Sequence, residues 1–176
     1  MANVLNLKRR TFISSAFIST AAITIGIDLK PWSLLGNNQD DIIHSHRHLF
    51  SVLLPVFLDG ILPKTMSFEK REHFHNQTLL SMSENTNKLN DKQKSDLSTL
   101  LNLLDSRLGS LLLTAEMTHI THRSANELIT MLNVWREGFM SLQQMAYFSL
   151  RELILASFYS IPEHWSLISY SKPSFT

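Results

Sequence analysis

The sequence contains no cysteine. That excludes disulfides, thiolate metal sites, c-type haem attachment and a cysteine nucleophile. Glycine is scarce, with five residues in 176, and neither G-x-G-x-x-G nor G-x-x-x-x-G-K-[ST] occurs. A glycine-rich loop to cradle phosphates is therefore not available. No sign of charge dominates, because 16 Lys and Arg face 15 Asp and Glu. A net charge of +1 gives no electrostatic case for a nucleic-acid partner. What remains is ordinary in amount: 44% of the residues are apolar and 18% charged, enough to bury the core of one domain.

The N-terminus carries an address. The basic cluster Lys8-Arg9-Arg10 precedes a run from Thr11 to Ile27 with no Asp, Glu, Lys or Arg. At about 17 residues, diluted by Ser and Thr, the run is marginal for a stable membrane span. A basic start followed by a short, mildly apolar stretch is an export pattern. Arg9, Arg10 and Phe12 stand in the order of the twin-arginine signal, with Ile13 as the following aliphatic and Lys8 where a small hydroxyl residue is commoner. The expected division is a twin-arginine export signal over 1–30 and a helical domain over 40–176. No A-x-A-like site follows, so both a cleaved signal and a retained anchor touching the membrane stay open. The implied location is the periplasm or the periplasmic face of the inner membrane.

Beyond the signal the pattern is helical. Asp40-Asp41 opens a segment whose apolar residues are Ile43, Leu49, Phe50, Leu53 and Leu54, with Pro55 perturbing the ladder. Ser67 caps a second helix reaching about Ser83, with Phe68, Phe74, Leu79, Leu80 and Met82 as its apolar set; Glu84–Leu89 reads as a loop. Asn90 and Gln93 have capping-box spacing, and the leucines from Leu97 to Leu111 follow steps of three and four. Ser124 and Glu127 form another box ahead of Leu128, Met131, Leu132 and Trp135. Ser141 and Gln144 repeat the spacing before a helix to about Tyr159, and Gly138 marks a weak point between the two stretches. Pro162 stops that helix, and the tail from Ser160 reads as non-helical. The expectation is an all-α protein: one irregular bundle of four to six helices after an N-terminal signal helix, with an irregular aromatic C-terminal tail.

Chemistry is thin. His44, His46 and His48 alternate, and a continuous helix would put His44 and His48 on one face; solvated surface histidines are the plainer reading. Glu-x-x-His occurs twice, at Glu72/His75 and Glu116/His119. Such pairs help build di-metal sites in helix bundles, so an independent periplasmic metal-binding protein is the alternative reading. The first pair lies in the charged run EKREHFH, and the two further bridging carboxylates are not evident. No G-x-S-x-G elbow is present, and no catalytic or cofactor-binding constellation stands out. The tail is more suggestive: Phe158, Tyr159, Trp165 and Tyr170, punctuated by Pro162 and Pro173, either fold back on the bundle or anchor a partner.

Three pieces together carry a family resemblance: the twin-arginine start, the segment Leu53-Leu54-Pro55-Val56-Phe57-Leu58-Asp59-Gly60-Ile61-Leu62-Pro63, and the tail Ala156-Ser157-Phe158-Tyr159 through Pro162, Trp165, Tyr170 and Pro173. In that order the chain resembles the small subunit of periplasmic flavoprotein dehydrogenases, the gluconate 2-dehydrogenase subunit 3-like and related twin-arginine-leader proteins. The stretch Leu132-Asn133-Val134-Trp135-Arg136 also fits. The resemblance implies a helical, non-catalytic accessory subunit that carries the export signal. Its implied partner is a large FAD-dependent dehydrogenase of the glucose-methanol-choline type acting on sugars, polyols or sugar acids. A cytochrome subunit often completes such complexes. The implied cofactor, FAD, sits in the partner and none in this chain. The family tail ends in a Gly-Tyr-Pro-Gly type turn; here it reads Ser169-Tyr170-Ser171-Lys172-Pro173, with Tyr170 kept and both glycines replaced.

Overall fold

Several helices begin where a side chain satisfies the first free backbone N–H groups. In the computed structural model, which describes residues 41–114 and 118–170, Asp41 accepts hydrogen bonds from the N–H groups of Ile43 (2.9 Å) and His44 (3.4 Å) and opens α1, Ile42–Ser45. Helix α2, Arg47–Phe57, follows directly and contains Pro55. Ser67 caps α3, Phe68–Asn87. The Asn90/Gln93 box opens α4, Asp91–Asp105, with both reciprocal bonds formed. After α5, Arg107–Thr114, and a single 3-10 turn, Ile120–His122, the Ser124/Glu127 box opens α6, Ala125–Glu137. Helix α7, Ser141–Tyr159, and a 3-10 helix, Pro162–Ile168, complete the described chain. The protein is all-α, with no strand among the described residues. The signal residues Arg9, Arg10 and Phe12 lie outside the described residues, as does Glu116.

The core forms where the apolar stripes meet. Helix α2 buries Leu49, Phe50, Leu53 and Leu54; α4 buries Leu97, Leu101 and Leu104; α6 buries Leu128, Met131, Leu132 and Trp135; α7 buries Ala146, Leu150, Leu153, Ile154 and Phe158. Each large aliphatic or aromatic side chain removed from water contributes about 1.5–3 kcal/mol. Helix α7 packs on α3 and α6, and α2 packs on α3, α6 and α7. Small polar side chains also join α3 to the C-terminal part of α7. Asn85 Nδ2 donates to Ser157 Oγ at 3.1 Å, the Ser81 and Ser160 hydroxyls are 2.8 Å apart, and the buried Thr78 returns its own O–H to the Phe74 carbonyl at 2.7 Å. Such side chains can be buried only because each finds a partner.

The sequence expectations meet the structure unevenly. Helix α3 continues through Glu84–Asn87, expected as loop, because Thr86 bonds back to the Ser83 carbonyl and is itself buried. Phe68 and Leu80, assigned to its apolar face, stand in solvent. The leucine stripe from Asn90 is two helices, because the Ser106 hydroxyl bonds both the Leu103 carbonyl (2.9 Å) and the Gly109 N–H (2.8 Å) and turns the chain. Ser141 is the first residue of α7 and not its cap; Gln143 and Gln144 donate instead to the carbonyls of Leu113 (2.6 Å) and Gly138 (2.8 Å). Gly138 separates α6 from α7, so those stretches are two helices. The tail is not irregular throughout, since residues 162–168 form the 3-10 helix.

Gly109 tests the Ser106 turn. A Cβ at Gly109 would overlap the Leu103 carbonyl and press on Ser106 Oγ. Gly109→Ala is expected to lower the unfolding free energy by about 1–3 kcal/mol, the usual cost of forcing atoms into filled space. Urea denaturation followed by circular dichroism reads this directly.

Candidate functional site: the C-terminal aromatic cluster

Every α-helix leaves carbonyls without partners at its C-terminal end. At the end of α7 two of them are taken by aromatic N–H groups from residues just beyond. Pro162 sets this up. It has no N–H and a fixed φ, so α7 cannot continue through it, and the same properties suit the first position of the 3-10 helix. The chain reverses, and His164 Nδ1–H donates to the Phe158 carbonyl at 2.9 Å. Trp165 Nε1–H donates to the Tyr159 carbonyl at 2.8 Å. Ser169 then closes the segment in the left-handed conformation, φ 54° and ψ 30°, which lets the Tyr170 N–H return to the Trp165 carbonyl at 3.0 Å.

These bonds gather three of the four aromatic residues singled out in the sequence. The Trp165 and Tyr170 rings meet edge to face with centroids 5.4 Å apart, and Trp165 is tied to the backbone of Tyr159. Tyr159 is 37% exposed and Tyr170 50% exposed, so both present ring surface to solvent. Phe158 is different. It is fully buried, with its ring 4.4 Å from that of His164, and it belongs to the core rather than to an accessible docking surface. An i, i+1 pair on a helix cannot share a face. Phe158 and Tyr159 therefore split between interior and surface. Tyr159, Trp165 and Tyr170 are the members of that set that reach the surface.

His164 was not singled out by sequence. It is completely buried, between the Phe158 ring and the edge of Phe74 on α3 at 5.0 Å. Its Nδ1 proton is fixed by the Phe158 carbonyl. Its Nε2 is buried with no protein partner among the described residues. Burial is the first cause holding its pKa below the ordinary imidazole value; the Phe158 hydrogen bond and Glu163 act the other way, and His73 reinforces the depression. The one sequence hint was its position, two residues after a helix-stopping proline and next to a tryptophan.

Three of the remaining histidines, His46, His48 and His119, serve as connectors. His44 and His48 lie on separate helices, split at His46, so they do not form a pair on one helix face. His46 is buried, donating Nδ1–H to the Ile42 carbonyl at 2.9 Å, with Nε2 3.2 Å from Asn102 Oδ1. His48 Nε2–H donates to Asp105 Oδ1 at 2.6 Å. His119 donates Nε2–H to the Asp105 carbonyl at 2.7 Å, and its Nδ1 accepts from the Thr121 hydroxyl at 2.7 Å and the Thr121 N–H at 3.3 Å. Both of its nitrogens are thus committed to joining α4 to the 3-10 turn. Glu72 is exposed on α3, whereas the Nε2 of its partner His75 is buried without a protein partner among the described residues. Burial, then Arg71, lowers the His75 pKa, and Glu72 opposes them. Among the described residues no group of three or more His, Asp or Glu side chains is disposed to hold a metal ion.

Two shallow depressions flank this framework. One of about 500 Å³ is lined by Met66, Glu69, Lys70, His73, Phe74 and Leu167; the other, about 150 Å³, lies between α2, α6 and α7 around Tyr147. Neither gathers converging polar groups around an enclosed space, the usual mark of a small-molecule site.

Trp165→Phe removes the indole N–H while keeping an aromatic ring. The expected result is a stability loss of about 0.5–1.5 kcal/mol, the usual net worth of one hydrogen bond, with the far-ultraviolet spectrum unchanged. A thermal melt of the variant beside the parent checks both.

No protein-family model, no curated protein and no solved structure matches the chain.

Proposed function

We propose that this chain is a non-catalytic accessory subunit or export escort of a periplasmic FAD-dependent dehydrogenase acting on a sugar, polyol or sugar acid. The observation that carries the reading is the backbone of Ser169. Where the resembled family has the first glycine of its terminal turn, this chain holds φ 54°, a conformation natural to glycine and rare for serine. A left-handed residue at this position supports the resemblance, although both glycines themselves are replaced. A second left-handed residue, Gly60 at φ 82°, lies inside the other resemblance segment, at the turn after α2. The half-exposed rings of Tyr159, Trp165 and Tyr170 supply the kind of aromatic surface that anchors protein partners.

In this reading the twin-arginine residues Arg9 and Arg10 address the pair to the export machinery after the partner has folded. The chemistry belongs to the partner's flavin, and this chain contributes transport and a docking surface. The partner is the large flavoprotein subunit, with a cytochrome subunit as the onward electron carrier.

Co-purification and export assays test it. With a tag added after Thr176 and purification from an exporting host, a flavoprotein several times larger is expected to co-elute and show absorbance near about 450 nm. Replacing Arg9 and Arg10 by Lys is expected to leave both proteins in the cytoplasm. Trp165→Ala with Tyr170→Ser is expected to weaken co-elution by about 30-fold in affinity, the level of an interface hot spot. Export of the flavoprotein at its normal level without this chain rules the escort role out.

Ser169→Gly isolates the turn itself. It relieves the left-handed strain on a residue with a Cβ and is expected to raise stability by about 0.5–1 kcal/mol. A fall in melting temperature would show that the serine side chain earns its place there.

A further inference from the structure

We propose that His164 is an acid-sensitive latch: its neutral imidazole pins residues 160–170 onto α3 and α7, and its protonation releases them. Four observations meet at this ring. It is fully buried although histidine is a polar residue. Its Nδ1–H is already spent on the Phe158 carbonyl at 2.9 Å. Aromatic carbon surrounds it, with the Phe158 ring at 4.4 Å and the edge of Phe74 at 5.0 Å. Its Nε2 is buried and has no protein partner among the described residues.

The neutral tautomer fits this site, because Nε2 then carries only a lone pair. A second proton must go to Nε2, where it creates a charged donor beside aromatic rings with no acceptor among the described residues. A buried charge without a hydrogen-bond partner is expensive, and the structure has a cheaper way out. The 3-10 helix packs on α7 and, through His164, on the edge of Phe74, so the ring leaves for water and the segment goes with it.

The charged surroundings act in the same direction or too weakly to oppose it. From α3, the neighbouring His73 disfavours a charge on His164, and Glu69 and Lys70 line the adjoining depression beside Leu167. From the segment itself, Glu163 favours the imidazolium. Helix α7 presents the Phe158 ring and carbonyl. Burial outweighs Glu163 and the carbonyl together, leaving the pKa depressed. The sign follows from linkage. The released ring titrates near 6.5 and the docked ring lower, so the latch holds in full above 6.5 and weakens as pH falls towards the docked value. The latch is a property of this chain alone and stands or falls independently of any partner.

Hydrogen exchange of the full chain at about pH 7.5 and about pH 5.0, corrected for the intrinsic exchange rate at each pH, reads the latch. Protection of residues 161–170 is expected to drop by about tenfold at the lower pH, while the core of α6 keeps its protection. His164→Asn keeps an N–H near the Nδ1 position and cannot titrate, so its segment is expected to lose no protection on acidification. Equal loss in parent and variant, or no loss in the parent, overturns the proposal. If the variant is loose at both pH values, the parent's own His164 ring is followed by NMR. Titration below the free-imidazole value, concurrent with the loss of protection, upholds the latch; titration at or above that value overturns it.

Discussion

The last helix cannot exist alone in water. Helix α7 buries Ala146, Leu150, Leu153, Ile154, Ser157 and Phe158. It must be enclosed by α2, α3 and α6, and the bundle is the arrangement that does so. The same helix then sets the problem at its end. Its final carbonyls need donors, and Pro162 prevents the helix from supplying them. His164 and Trp165 supply them instead, and this brings the aromatic cluster together.

Polar groups, more than apolar ones, decide how the elements meet. The α3–α7 seam is held by Asn85, Ser157, Ser81 and Ser160, and α4 reaches the 3-10 turn through His119. Trp135, the largest buried side chain, donates its Nε1–H to the Leu113 carbonyl at 3.0 Å, an acceptor it shares with Gln143. Apolar burial supplies the drive to collapse and is tolerant of detail; a buried polar atom needs one particular partner and so fixes a geometry. That is why so many of the histidines are structural. An imidazole offers a flat ring for packing and an N–H for an orphaned carbonyl in one side chain.

The same division accounts for the C-terminal cluster having two characters. Tyr159 and Tyr170 are exposed and Trp165 partly so, while Phe158 and His164 are buried beneath them. A surface built this way is supported from beneath by a single titratable ring. Any partner that prefers the docked segment would raise the work needed to protonate that ring, and acid would weaken its grip in return.

Local signals were legible in the sequence where a few neighbouring residues settle the outcome. The caps at Asp41, Ser67, Asn90 and Ser124, the apolar faces of α2 and α6, and the stop at Pro162 all follow from contacts within about one helical turn. Tertiary structure decided the rest. The break at Ser106 depends on a hydroxyl reaching two backbone groups, Gln144 gives up its capping role for the Gly138 carbonyl, and Gln143 reaches the Leu113 carbonyl on α5. Phe158 and Tyr159 look alike in sequence, yet the packing direction of α7 buries one and exposes the other. His164 was one histidine among eight until the fold placed it between two phenylalanine rings. Periodicity and capping are properties of short segments and can be read in order; burial of a particular ring depends on residues some ninety positions away, and only the folded chain brings them together.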